Sequence, residues 1–295
     1  MTTEDVSLRF ADLDVWETLD GLKALLEEQA AAVAAVGAAM EELAAAVEAA
    51  VVRLKRGGRL VYVGAGTSGR IGVQDGAELF PTFNWPLDQV VFAIAGGEGA
   101  LLRAVENAED SAGDGAARMA ALSVGVDDVV IAIAASGNTP YTVAAVTAAR
   151  VRGALTVGVA NNAGSQLLLA SEHPILIETG EEPVAGSTRF KAGTAQKVVL
   201  NLFSTMVMVR LGKVYRGLMV HMRPTNAKLR RRAAQMVMSI TGCSDDVAAD
   251  AVAKAGADVM LAVLLARGLE RGAAEALIAR HDGNLRLALG ELGAV

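Results

Sequence analysis

Between residues 18 and about 55, Ala, Val and Leu recur at helical spacing with no proline and no strand-like run, which predicts a long apolar helix. Gly37 is the one interruption, and a helical pattern tolerates it. The period then changes. Short runs rich in β-branched residues alternate with helical stretches: 60–64 before a helix starting near Ser68, 89–95 before 100–108, 128–134 before 141–152, 155–160 before 165–170, and 174–178 closing the series. Five β segments separated by helices predict an α/β fold with a doubly wound, open parallel five-stranded sheet flanked by helices. A helix over 194–211 follows. From Pro224 onward the pattern is purely helical in short segments, 245–255 (Ser244 as N-cap, Gly256 as stop), 258–267, 271–280 and 284–292. Residues 1–17 read as polar and irregular with Trp16 as an anchor. The expected organisation is an N-terminal helical segment over 1–50, a sheet domain over 51–223 and a helical domain over 224–295.

Composition narrows this picture. With 295 residues, 53% of them hydrophobic, the chain can bury a substantial core. Aromatics are only 4%, so no stacking platform for single-stranded nucleic acid is expected, and a net charge of −6 gives no electrostatic footprint for one. Cys243 is the only cysteine, which excludes a disulfide framework and a thiolate zinc site. His173, His221 and His281 have no ligand spacing, so no metal is expected. The basic run Lys228, Arg230, Arg231 and Arg232 reads as a solvated helix face. The alanine-rich run 29–52 raises the question of a membrane, but Glu41, Glu42 and Glu48 interrupt it; it reads as a buried or interface helix. No signal peptide is visible, and a cytoplasmic protein without membrane or nucleic-acid partners is expected.

Candidate chemistry centres on the end of the first strand, Gly64-Ala65-Gly66-Thr67-Ser68-Gly69-Arg70. A strand, a glycine loop and a helix N-terminus in that order suit an anion: glycines permit close backbone approach, and the first helical amides and their dipole face the ligand. The loop reads GxGxxG, yet no acidic residue follows at the ribose-binding offset and no Lys-Ser/Thr ending makes it a nucleotide P-loop. The Thr67-Ser68 pair favours a small phosphorylated ligand over a dinucleotide. A tight strand-to-helix turn without ligand is the third alternative. Further strand ends carry Gly96-Gly97, Ser136 to Thr139 and Asn161 to Ser165, so the loops converge on one crevice at the carboxyl edge of the sheet.

Several stretches together resemble the N-acetylmuramic acid 6-phosphate etherase family, part of the sugar isomerase (SIS) group and related to the glucokinase regulatory protein. They are 58–70; Asp75-Gly76-Ala77-Glu78 with Pro81-Thr82-Phe83; Ala95-Gly96-Gly97-Glu98; and Ala104-Val105-Glu106-Asn107-Ala108-Glu109-Asp110-Ser111. Also matching are Ala134-Ala135-Ser136-Gly137-Asn138-Thr139-Pro140-Tyr141, the run 186–197, Leu218-Met219-Val220 with Thr225 to Leu229, and Thr241-Gly242-Cys243-Ser244. The likeness covers about residues 50–250, in order. This chain departs from the family pattern at Ala77 (Ser), Leu79-Phe80 (Cys-Pro), Phe190 (Met) and His221 (Asp), and its opening segment is shorter.

The resemblance implies a SIS-type sheet, a small ubiquitin-associated (UBA)-like helical tail, a homodimer and no cofactor. It also implies removal of D-lactate from C3 of a phosphorylated amino sugar with addition of water. Such a reaction needs a base for the C2 proton, acidified by the open-chain aldehyde, and an acid for the departing ether oxygen, each worth roughly 10²–10⁴-fold. By resemblance Glu78 is the acid and Glu109 the base. Thr67, Ser68, Ser136 and Thr139 are the phosphate ligands expected at the strand ends, within the set Gly66, Thr67, Ser68, Gly69, Ser136, Gly137, Asn138 and Thr139. Backbone amides of Gly69 and Gly137 are expected to assist, and Ser187 and Lys191 to close the far side. Taken alone, Glu78 also reads as a solvated helix-end carboxylate and Glu109 as part of an acidic surface with Glu106, Asp110 and Asp114. An aldose–ketose isomerase and a non-catalytic phosphosugar sensor are the competing readings.

Overall fold

The computed structural model describes residues 2–256 and 258–293. The chain divides into two compact units, one of residues 1–77 and 88–207 and one of residues 78–87 and 208–295.

In the first unit the apolar N-terminal run forms α1 (Thr18–Ala35) and α2 (Met40–Leu54), with a 3₁₀ turn over Val36–Ala39 between them, where the long helix was expected to be continuous. Gly37 lies in that turn. The stretch from Thr18 to Leu54 is long and apolar enough to cross a membrane by length and composition, and one third of its most apolar window is buried within the protein. Its second half packs across the sheet, burying Leu43, Val47, Val51 and Leu54.

The sheet follows: β1 (Leu60–Gly64), α3 (Gly66–Ala77), then, after a short α4 (Leu79–Phe83) that belongs to the second unit, β2 (Val90–Ile94) and α5 (Ala112–Ala121). After these come β3 (Val129–Ala134), α6 (Pro140–Val151), β4 (Leu155–Ala160), α7 (Gln166–Ala170), β5 (His173–Leu176) and α8 (Lys191–Arg210). All neighbours are parallel, in the order β2-β1-β3-β4-β5. The expected doubly wound, five-stranded parallel sheet is therefore present. The central strands β1, β3 and β4 are buried along their whole length, which is why they read as continuous apolar runs. Each fully buried Val, Leu or Ile there is worth about 1.5–3 kcal/mol. Val61, Val63, Val130 and Ala132 pack under α5, α6 and α7, whereas α3 lies against Tyr62 and Ile133 on the opposite face.

One expected helix is absent. Residues 100–108 form no α-helix; a 3₁₀ turn over Glu98–Leu101 is followed by irregular chain and a second 3₁₀ turn over Ala108–Asp110. Gly96, Gly97 and Asn107 all have positive φ here, which breaks helical propagation. The helix starts only after Ser111, whose side chain caps it by accepting from the Asp114 amide.

In the second unit α9 (Ala227–Thr241), α10 (Asp245–Ala255), α11 (Val259–Ala266), α12 (Arg271–Arg280) and α13 (Leu285–Glu291) surround one core. α11 is its centre, with Val259 to Leu264 all buried. Asn226, Asp258 and Asn284 cap three of these helices through their side chains; Ser244 takes the N-cap position of α10 without a side-chain bond. Gly256 ends α10 in the left-handed conformation expected of it.

Candidate active site

In a sheet of this strand order the connections from β1 and β3 lead to opposite sides, so the loops leaving those two parallel strands part and open a crevice at their carboxyl ends. A cavity of about 460 Å³ lies there, lined by residues following β1 (Ala65, Gly66, Thr67, Ser68) and β3 (Ser136, Asn138, Thr139, Pro140). Glu109 and Asp110 line it from a third segment, and Glu4, Gly186 and Thr188 from two more. A second cavity of about 300 Å³ shares Ala65, Gly66, Thr67 and Glu109 with it and adds Arg70 and Arg103.

The β1–α3 turn is held tight by backbone-to-backbone packing. A Cβ on Gly64 would stand 2.8 Å from the Gly69 nitrogen, and one on Gly69 would stand 2.9 Å from the Gly64 oxygen. Gly66 begins the helix at φ +52. The first amides of α3 have no partner inside the helix, and their residues Gly66, Thr67 and Ser68 line the cavity at the positive end of the helix dipole. This corrects the expected role of two glycine amides. Gly69 N–H already donates to the Ala65 carbonyl at 3.1 Å, and Gly137 N–H to the Ala134 carbonyl at 3.1 Å. Gly69 and Gly137 shape the loops by their lack of a side chain; Gly137 has φ +68 and a Cβ there would strike the Ser165 hydroxyl at 2.1 Å.

The hydroxyls differ among themselves. Ser68 is buried, and its Oγ donates to Gln196 Oε1 at 2.9 Å. Gln196 Nε2 donates in turn to Asn161 Oδ1 at 2.9 Å, and Asn161 Nδ2 to the Ile177 carbonyl at 3.0 Å. A backbone carbonyl accepts only, so it fixes the direction of the whole chain of bonds and commits the single Ser68 proton to Gln196. Ser68 therefore offers an anion its amide, and its hydroxyl presents lone pairs. Ser136 has the opposite arrangement: its Oγ accepts from the Asn138 amide at 3.2 Å, which leaves its proton for a ligand. Thr139 stands at the N-cap of α6 without a side-chain cap bond. Asn138 organises the wall, since its Oδ1 accepts from the Gln166 amide at 3.0 Å.

The remaining expected site residues lie elsewhere. Ser187 does not line the cavity, although its neighbours Gly186 and Thr188 do. Lys191 is buried and its ammonium is paired with Glu28 at 2.5 Å, with the Glu181 carbonyl at 3.1 Å. Its backbone amide is capped by the buried Glu182, whose carboxyl is pushed above its usual range by burial, against the pull of the Ala192 and Lys191 amides. Lys191 thus anchors the start of α8 and is not available to a phosphate. Glu78 is exposed and is not among the residues lining the cavity. It follows the last residue of α3, and Ala77 lies about 14 Å along the helix axis from Ser68. Among the described residues, no group of three or more His, Cys, Asp or Glu side chains is placed to hold a metal ion. Glu4, Asp110 and Thr188 are cavity residues outside the expected set of site residues.

A five-stranded parallel sheet flanked by helices, with a cavity at the carboxyl ends of β1 and β3, defines the class as a SIS-fold protein. Residues 42–150 match the glucokinase regulatory protein N-terminal SIS domain, and residues 102–206 match the SIS domain. A solved putative sugar-phosphate isomerase from Listeria monocytogenes shares the fold, with a TM-score of 0.51 at 19% identity over 65% of this chain and 90% of that one. Closer in sequence is an N-acetylmuramic acid 6-phosphate etherase from Deinococcus radiodurans, 51% identical over 98% of this chain and 95% of that protein. The etherase of Streptomyces avermitilis is 46% identical over 98% and 93%. The chain belongs to the N-acetylmuramic acid 6-phosphate etherase family.

Proposed function

We propose that this protein is a carbon–oxygen lyase that cleaves the D-lactyl ether of N-acetylmuramic acid 6-phosphate, giving N-acetylglucosamine 6-phosphate and D-lactate. Membership of the etherase family, at 51% identity over nearly the whole chain, supports this over the isomerase and sensor readings. The observation that carries the mechanism is the placement of Glu109 on the same cavity as the α3 amides and the hydroxyls of Ser136 and Thr139.

The sugar phosphate is held by the first-turn amides of α3 with Thr67, Ser136 and Thr139, and Arg70 and Arg103 supply positive charge beside it. Glu109 takes the C2 proton of the open-chain aldehyde. The electron pair forms the C2–C3 double bond and the C3–O bond to lactate breaks, with Glu78 giving its proton to the departing oxygen. Glu78, now a carboxylate, takes a proton from the water that adds to C3, and Glu109, once its proton has exchanged with solvent, returns one to C2, so both groups end as they began. The active form is a cytoplasmic homodimer, and Glu78 serves the cavity of the second copy. The exposed Leu19, Leu22, Leu26 and Val33 along one face of α1 support this, since they offer an apolar surface to a second copy.

Incubation with N-acetylmuramic acid 6-phosphate is expected to release lactate and N-acetylglucosamine 6-phosphate in equal amounts. A ketose product, or binding without turnover, would overturn the lyase reading.

A further inference from the structure

Glu4 lies in a segment that reads as polar and featureless, yet the fold carries it to the wall of the cavity that Glu109 also lines. The segment is stitched down on both sides of that residue. Thr3 is fully buried; its amide donates to Asn162 Oδ1 at 3.0 Å, and Asn162 Nδ2 donates to Thr3 Oγ1 at 2.9 Å. Val6 forms a parallel bridge with Glu182, the same buried residue that caps α8. Asn162 belongs to the loop leaving β4, so the sheet itself sets the height of Glu4 over the crevice.

The carboxylate is also oriented. Thr3 Oγ1 spends its proton on Glu4 Oε1 at 3.2 Å, while its lone pair receives the Asn162 amide. Among the described residues Oε1 is the Glu4 oxygen with a hydrogen-bond partner, and the residue lines the cavity. A carboxylate only accepts hydrogen bonds, so it repels a phosphate and attracts a hydroxyl or amide N–H. The cavity lining therefore carries two chemically distinct kinds of group: donors at the α3 and α6 N-termini, and the acceptors Glu4, Glu109 and Asp110.

We infer that Glu4 is a substrate-binding residue that accepts a hydrogen bond from a ring hydroxyl or the acetamido N–H of the phosphosugar, fixing the sugar while its phosphate sits in the cradle. This rests on the phosphosugar reading of the site and adds a specificity contact to it. Glu4 takes no proton in the reaction.

The test compares the wild type with Glu4→Ala and Glu4→Gln by calorimetry, using N-acetylglucosamine 6-phosphate and inorganic phosphate as separate probes, together with the kinetics of lactate release. A hydrogen bond to a charged group predicts that Glu4→Ala weakens N-acetylglucosamine 6-phosphate binding by about 10- to 100-fold. Glu4→Gln, which keeps an acceptor oxygen without the charge, should fall between. Inorganic phosphate should bind all three proteins within about twofold, and KM should rise far more than kcat falls. Unchanged or tighter sugar-phosphate binding by Glu4→Ala would overturn the inference, as would an equal loss for both probes, which marks a merely structural role. A wild type that binds the sugar phosphate without releasing lactate would defeat the lyase reading and leave the comparison at Glu4 intact; one that does not bind it would overturn both.

Discussion

Gly69→Ala separates two explanations of the same glycine. Alanine keeps the backbone amide, so a residue that served a ligand through its N–H would tolerate the change. The structure instead makes Gly69 a point of contact: an added Cβ would lie 2.9 Å from the Gly64 oxygen, 3.0 Å from the Gly64 carbonyl carbon and 3.3 Å from Ile94 Cγ2. Reaching 3.4 Å, the near limit of ordinary contact, moves the first turn of α3 away from β1 by about 0.5 Å. Overpacking of this kind costs about 1–3 kcal/mol, and the better helix propensity of alanine returns up to about 1 kcal/mol. Net destabilisation of about 0–2 kcal/mol is expected in denaturant melts. The larger effect falls on binding, because the amides of Thr67 and Ser68 move with the turn, and a shift approaching 1 Å in a positioned group can cost 10²-fold in rate. Calorimetry with N-acetylglucosamine 6-phosphate should show affinity lowered by about tenfold or more. Wild-type affinity in a folded Gly69→Ala protein would refute the idea that close strand-to-helix approach builds the cradle.

Mixing inactive Glu78→Gln and Glu109→Gln proteins, after unfolding and refolding together, should restore activity, since in a mixed dimer one of the two cavities receives both carboxylates; no recovery would mean that each chain uses its own Glu78. Lys191→Met should lose about 1.5–3 kcal/mol of stability, the worth of a hydrogen bond to a charged group, because Glu28 keeps Arg9 as its second partner, while inorganic phosphate affinity per folded molecule stays unchanged; weakened phosphate binding would restore Lys191 to the site. His221, whose imidazole burial lowers to about 4 with the Lys213 charge adding to the effect, binds its proton more readily when unfolded. Stability should therefore decline as pH falls from about 6.5 toward 4, by up to about 3 kcal/mol, and His221→Asn should flatten that slope in melts followed against pH.

How far the sequence could be read follows from what each signal depends on. The strands were legible because β1, β3 and β4 are buried on both faces and so become uninterrupted apolar runs. The cradle was legible because its glycines, hydroxyls and helix start are contiguous. The segment 100–108 was not, since its apolar spacing suggests a helix while the positive φ at Gly96, Gly97 and Asn107 bends the chain otherwise. Partnership between distant residues was equally hidden. Nothing near Lys191 in sequence announces Glu28, and nothing near Ser68 announces the Gln196–Asn161 chain that spends its proton. Glu4 reaches the cavity only because Asn162, 159 residues away from Thr3, holds its neighbour in place.

The most direct test of a C2 proton abstraction followed by water addition is the fate of solvent isotopes. Turnover of N-acetylmuramic acid 6-phosphate in deuterated, ¹⁸O-labelled water should give N-acetylglucosamine 6-phosphate carrying deuterium at C2 and solvent oxygen at C3, with no solvent oxygen in the lactate hydroxyl. Solvent oxygen in the lactate hydroxyl, or a C2 position that keeps its original hydrogen, would contradict it.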